Sequence, residues 1–108
     1  MDHLADIKKY TAKVDDAAAA GMIKNYALVM SKADTRYVAA SDPVEMQRVV
    51  DNFLKKKLGR KEGADALMAA CKAVAEKMKA DRTKSRLTFY YLLAEHFGAL
   101  KMFHPKAK

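Results

Sequence analysis

Leu87-Thr88-Phe89-Tyr90-Tyr91-Leu92-Leu93-Ala94-Glu95-His96-Phe97 is the stretch on which the reading of the fold turns. Wound at 3.6 residues per turn, it sets Leu87, Phe89, Tyr90, Leu93 and Phe97 on one wide face, with Leu92 almost opposite. A helix that is apolar on more than one side needs neighbours on more than one side. The expected fold class is therefore all-α: a compact bundle of about five helices around this central C-terminal helix. Lys84, Thr88, Tyr91 and Glu95 recur at i, i+4, i+7 and i+11 and form its polar strip.

The preceding segments read as its wrapping. Residues 2–10 suit a short helix, with Asp2 as N-cap, Leu4 and Ile7 inward, and Lys8 and Lys9 at the negative end of the dipole. Asp15 caps a second helix running to about residue 31, with Ala19, Met22, Ile23, Tyr26, Val29 and Met30 inward. Gly21 falls on its outer side, which points to a bend rather than a close crossing. Tyr37 to Ala40 suit a turn or two of helix, which must end before Pro43. Asp42-Pro43-Val44-Glu45 then combines an N-cap, a first-turn proline and an acid three residues on, and opens a third helix that Gly59 stops. Ala64, Leu67, Met68, Cys71, Val74, Ala75 and Met78 share one arc of a fourth. Thr83 is the expected cap of the central helix and Gly98 its stop. Residues 1–103 read as one helical domain and 104–108 as a frayed basic tail.

Four stretches carry a likeness: Ala5-Asp6-Ile7-Lys8-Lys9-Tyr10, Val38-Ala39-Ala40-Ser41-Asp42-Pro43, Asn52-Phe53-Leu54-Lys55-Lys56-Lys57-Leu58-Gly59 and Thr88-Phe89-Tyr90-Tyr91-Leu92-Leu93-Ala94-Glu95. In that order and spacing the chain resembles a family of small bacterial proteins known as domain of unknown function twenty-eight fifty-three. The resemblance implies a compact bacterial protein of this size and brings no activity, ligand or functional residue.

Composition narrows the function classes. At 51% hydrophobic, rich in Ala and Met, the chain suits helices. It holds no run of about 18 apolar residues, and its first residues are acidic where a signal peptide is basic, so a cytoplasmic protein with no membrane role is expected. The lone Cys71 fits a reducing compartment. Residues 1–42 hold as many acids as bases, so the whole excess of +8 falls after them. That asymmetry favours an acidic partner, either nucleic acid or an acidic protein.

Two basic clusters are the candidate anion-binding residues: Lys55, Lys56, Lys57, Arg60 and Lys61, then Lys79, Arg82, Lys84 and Arg86. On one surface they would neutralise several phosphates. The plainer reading is solvated surface, because successive lysines fan around a helix and successive joints of an up-down bundle fall at opposite ends. The strip Lys84, Thr88, Tyr91 and Glu95 is a candidate polar cleft for a small ligand or an acid–base pair; its plainer reading is the side where the central helix meets water. A DNA-reading helix-turn-helix fits poorly, since the strip offers Glu95 where bases want Arg, Lys, Asn or Gln. His3, His96 and His104 lack metal-ligand spacing, and Cys71 lies mid-arc on a buried face. No catalytic residue, metal or cofactor is expected. The leading expectation is a small non-catalytic binding protein, monomeric or weakly self-associating. A helical interaction module using Leu28, Leu92 and Leu100 comes second, and an enzyme with a site near Tyr91 and Glu95 third.

Overall fold

Each apolar arc becomes a helix packed against the last one. The computed structural model describes residues 3–11, 13–32, 36–39, 41–79 and 84–104. In chain order come α1 (His3–Lys8), α2 (Asp16–Asn25), α3 (Ala27–Ser31), strand β1 (Tyr37–Val38), α4 (Pro43–Val49) running into a π-helix (Val50–Lys55), α5 (Ala64–Lys77), strand β2 (Lys84–Ser85), α6 (Arg86–His96) and a 3-10 helix (Leu100–Phe103). The chain is thus mostly helical, closed around α6. From Leu87 to Ala94 every residue of that helix is buried, and α1, α2 and α5 all pack against it.

The caps follow from the sequence. The Asp15 side chain accepts from the Ala18 amide and the Asp42 side chain from the Val44 amide, each satisfying a donor that a first turn leaves orphaned. Gly59 and Gly98 take φ of 68° and 66°, the left-handed turn that ends a helix without a Cβ penalty. The Arg36 guanidinium closes α3 by donating to the Met30 and Ser31 carbonyls.

Several details depart from the sequence reading. Tyr37 and Val38 form no helical turn. They pair antiparallel with Lys84 and Ser85, Tyr37 opposite Ser85 and Val38 opposite Lys84. Two β-favouring residues gain a ladder that two helical residues would not. Ser85, not Thr83, caps α6, accepting from the Thr88 amide; Thr83, like Asp2 and Arg82, lies outside the described residues. The second helix breaks at Tyr26, and the third winds into a π-turn, with the Leu58 amide reaching the Phe53 carbonyl five residues back.

Gly21 is a close crossing after all. A Cβ there would sit 1.6 Å from the Phe103 carbonyl oxygen, so the glycine seats the 3-10 helix. Phe103 is buried and stacks at 6.2 Å on Phe53. His104, at the start of the expected tail, pairs with Asp15 at 2.6 Å; residues 105–108 lie outside the described set. Hydrogen bonding to His104, and then to the Ala18 amide, holds the Asp15 carboxyl below its ordinary value.

Candidate functional site

Glu45, Arg48 and Asn52 stand at i, i+3 and i+7 along α4 and its π-helical extension, and so share one face. Arg86 is the first residue of α6 and lays its side chain across to that face. One Nη donates to Glu45 at 2.8 Å and the other to the Tyr90 hydroxyl at 3.0 Å, one turn along α6. The Tyr37 carbonyl of β1 lies 3.4 Å from the first, so the short strand pair helps to place the guanidinium. Only 13% of the Arg86 side chain is exposed.

Behind it the rings form a wall. Tyr90 stacks on Phe53 at 4.0 Å, and Tyr26 meets Tyr90 edge-on at 5.3 Å and 71°. Between this wall and α4 opens a cleft of about 320 Å³, completed by Val29 and by Arg48 at its rim. Arg48 is mostly exposed, with its guanidinium 3.9 Å from Glu45. Burial works to discharge Arg86, but the Tyr90 hydroxyl and the Glu45 carboxylate outweigh it and hold the guanidinium above its ordinary value. Burial, reinforced by Tyr90, drives the Tyr26 hydroxyl well above its ordinary value of 10.0, so it remains a neutral donor. A cleft with two guanidinia, one carboxylate, two phenols and an amide can grip an anion and has no evident nucleophile.

Two arginines of the basic clusters, Arg60 and Arg86, stand at opposite ends of α6. Arg60 lies over the Phe97 ring at 4.6 Å, at the C-terminal cap of α6, whereas Arg86 begins that helix. At 1.5 Å rise per residue, those ends are about 16 Å apart. Within the first cluster Lys55 pairs with Asp51, Arg60 pairs with Glu62, and Lys57 sits over the Phe103 ring. The Arg60–Glu62 hydrogen bond raises the arginine and lowers the glutamate from their ordinary values. Lys56 and Lys61 are exposed. In the second, Lys79 pairs with Glu76 at 3.0 Å, and Lys84 borders a separate hollow with Lys72. Among the described residues, Arg86 alone of the proposed anion ligands lines the cleft.

Nor does the strip Lys84, Thr88, Tyr91 and Glu95 form one cleft, and only its half-buried ends, Lys84 and Glu95, meet water. Thr88 and Tyr91 are fully buried beneath the N-terminal segment. The Thr88 hydroxyl donates to Asp6, the Asp15 amide donates to the Tyr91 hydroxyl at 2.8 Å, and the Thr11 hydroxyl donates to Glu95 at 2.9 Å. Burial, more than the nearby carboxylates, raises the Tyr91 hydroxyl. Glu95 also borders a hollow of about 180 Å³ with Lys77 and His96. Cys71 is buried, and burial pushes its thiol up to about 11, away from nucleophilic use. Among the described residues no three His, Cys, Asp or Glu come together as a metal would need.

A family model described as "Protein of unknown function (DUF2853)" matches residues 2–101. The chain belongs to this family. A search of curated proteins found no match. The DUF2853 region contains the whole cleft and α1 to α6, while Phe103 and His104 fall just beyond it. Within that region, sequence reasoning singled out Arg86 but not Tyr26, Glu45, Arg48, Asn52 or Tyr90, which line the cleft with it. The i, i+3, i+7 spacing of Glu45, Arg48 and Asn52 was the signal available; the π-turn and the crossing of Arg86 left none.

Proposed function

We propose that this DUF2853 protein is a non-catalytic binding protein that meets an acidic partner at the cleft between α4 and the start of α6. The observation that carries the reading is Arg86, a guanidinium fixed by Glu45 and Tyr90 at a concave surface instead of waving in solvent. Fixing a cation costs side-chain freedom, and a bound anion regains that cost as affinity. The π-helix beside it supports the same reading, because such turns concentrate at functional sites. Nucleic acid is the weaker partner of the two expected from charge. A phosphate backbone rewards a row of unpaired cations, and several of these cations are already paired. A bacterial cytoplasmic setting is part of the proposal. It rests on the family resemblance, on the lone buried Cys71 and on the fact that no described helix is long and apolar enough to cross a membrane.

Titrating the ¹⁵N-labelled protein with inorganic phosphate and with a short polyglutamate peptide tests it. At least one probe should shift the amides of residues 45–52 and 86–90, and added salt or Arg48→Glu should remove the shift. If neither moves those amides, the proposal fails. A second reading, a self-association module, rests on Leu28 and Val44, which are 72% and 60% exposed. A single monomeric species in sedimentation at high concentration would dismiss it.

A further inference from the structure

The cleft carries more than a sign of charge. Arg48 and Arg86 contribute two positive charges and Glu45 one negative, so the site holds a net single positive charge. A monoanion closes that count to zero. A dianion would leave an unmatched negative charge beside Glu45 in a partly enclosed space, where it is poorly solvated. The geometry of the donors agrees. Arg86 is tied to Glu45 and Tyr90 and serves as a fixed background charge, whereas Arg48 is exposed and only loosely held at 3.9 Å from Glu45. An arginine fork free to turn takes the two oxygens of a carboxylate side by side. Asn52 stands one turn beyond Arg48, and Tyr26 joins it in the lining with a hydroxyl that stays protonated. Val29 and the two tyrosine rings leave an apolar floor. The volume of about 320 Å³ is at the small end of ligand sites.

We propose that the cleft receives a single carboxylate on a compact, partly apolar body, clamped by Arg48 with Asn52 and Tyr26 donating to it. This rests on the binding reading above and names the chemistry of its ligand. The body is either a free small acid or the carboxylate end of a peptide chain.

Four probes on the whole chain decide it by NMR titration above the second ionisation of phosphate, where that ion is a dianion: benzoate, inorganic phosphate, and an acetylated dipeptide with either a free or an amidated C-terminus. Benzoate or the free dipeptide should bind at residues 45–52 and 86–90 at least about tenfold tighter than phosphate, and the amidated dipeptide should not bind. Whichever of the two carboxylates binds tighter identifies the source, free acid or chain end. Arg48→Gln, at an exposed position that leaves the fold alone, should weaken the carboxylate about tenfold or more. Arg48→Lys should recover only part of the loss, and Tyr26→Phe should weaken binding severalfold. Glu45→Gln, which raises the site charge by one, should shift preference toward phosphate. If phosphate moves these amides and the carboxylates do not, or if the amidated peptide binds as well as the free one, the carboxylate assignment is overturned while an anion or peptide site survives. Silence from all four probes removes both.

Discussion

Gly21 has no side chain, and the backbone of Phe103 occupies the space that one would fill. In an ordinary exposed helix, glycine to alanine gains about 1 kcal/mol. Here the obstacle is a carbonyl oxygen, which cannot swing aside as a flexible side chain would. Gly21→Ala should therefore destabilise the fold by about 1–3 kcal/mol, read from the urea midpoint, the reverse of the helix-propensity sign. The sequence showed the glycine but not its neighbour, because contact across eighty-odd residues leaves no local trace. Cys71 was legible, since its place mid-arc marks a buried face. Its thiol should resist iodoacetamide in the native protein and react once urea unfolds the chain. The pH sign follows from the same burial. Below the ordinary thiol value of 9.0 both states are protonated, while between there and about 11 the unfolded chain ionises first. Stability should therefore fall as pH climbs through that window. Cys71→Ala should flatten part of the fall when unfolding free energy is plotted against pH.

At the scale of the element, α6 shows what a helical wheel can and cannot say. Its apolar breadth was readable, and with it the burial of Leu87, Phe89, Leu92 and Leu93. The polar strip was readable as a strip, but a wheel cannot distinguish water from a polar partner. Asp6, Thr11 and the Asp15 amide meet Thr88, Glu95 and Tyr91, so the N-terminal segment is fastened by hydrogen bonds around the buried Ile7. Thr88→Val keeps the shape and removes the donor, leaving the mostly buried Asp6 carboxylate without that bond. It should cost about 1–3 kcal/mol in chemical unfolding. Hydrogen exchange should rise first in α1, because the segment is released before the core opens. The start signals at Asp15 and Asp42 and the stops at Gly59 and Gly98 were legible because capping is local chemistry. The strand pair of Tyr37–Val38 with Lys84–Ser85 was not, since two residues cannot show a period of two.

Over the whole molecule, Arg60 and Arg86 mark the two ends of α6. Lys61 follows Arg60, whose guanidinium lies over the Phe97 ring at the far end of α6, about 16 Å from Arg86 and beyond a physiological Debye length. Reversing it, Lys61→Glu, should leave carboxylate or phosphate affinity at the cleft within about twofold, whereas Arg48→Glu should abolish it. An equal loss from the distant lysine would mean that one continuous field captures the ligand. The sequence supplied the residues of both clusters. It did not supply the cleft, which needs Arg48 of α4, Arg86 of α6 and Tyr26, at the break between α2 and α3, brought together.

The N-terminal helix finds its anchors at Thr88 and Glu95, 82 and 84 residues downstream of Asp6 and Thr11. During synthesis every earlier helix emerges before the rod it must lean on, so greasy surfaces wait uncovered until translation passes that point. A helical protein of this design closes its longest loops late, and it should fold more slowly than its helix content suggests.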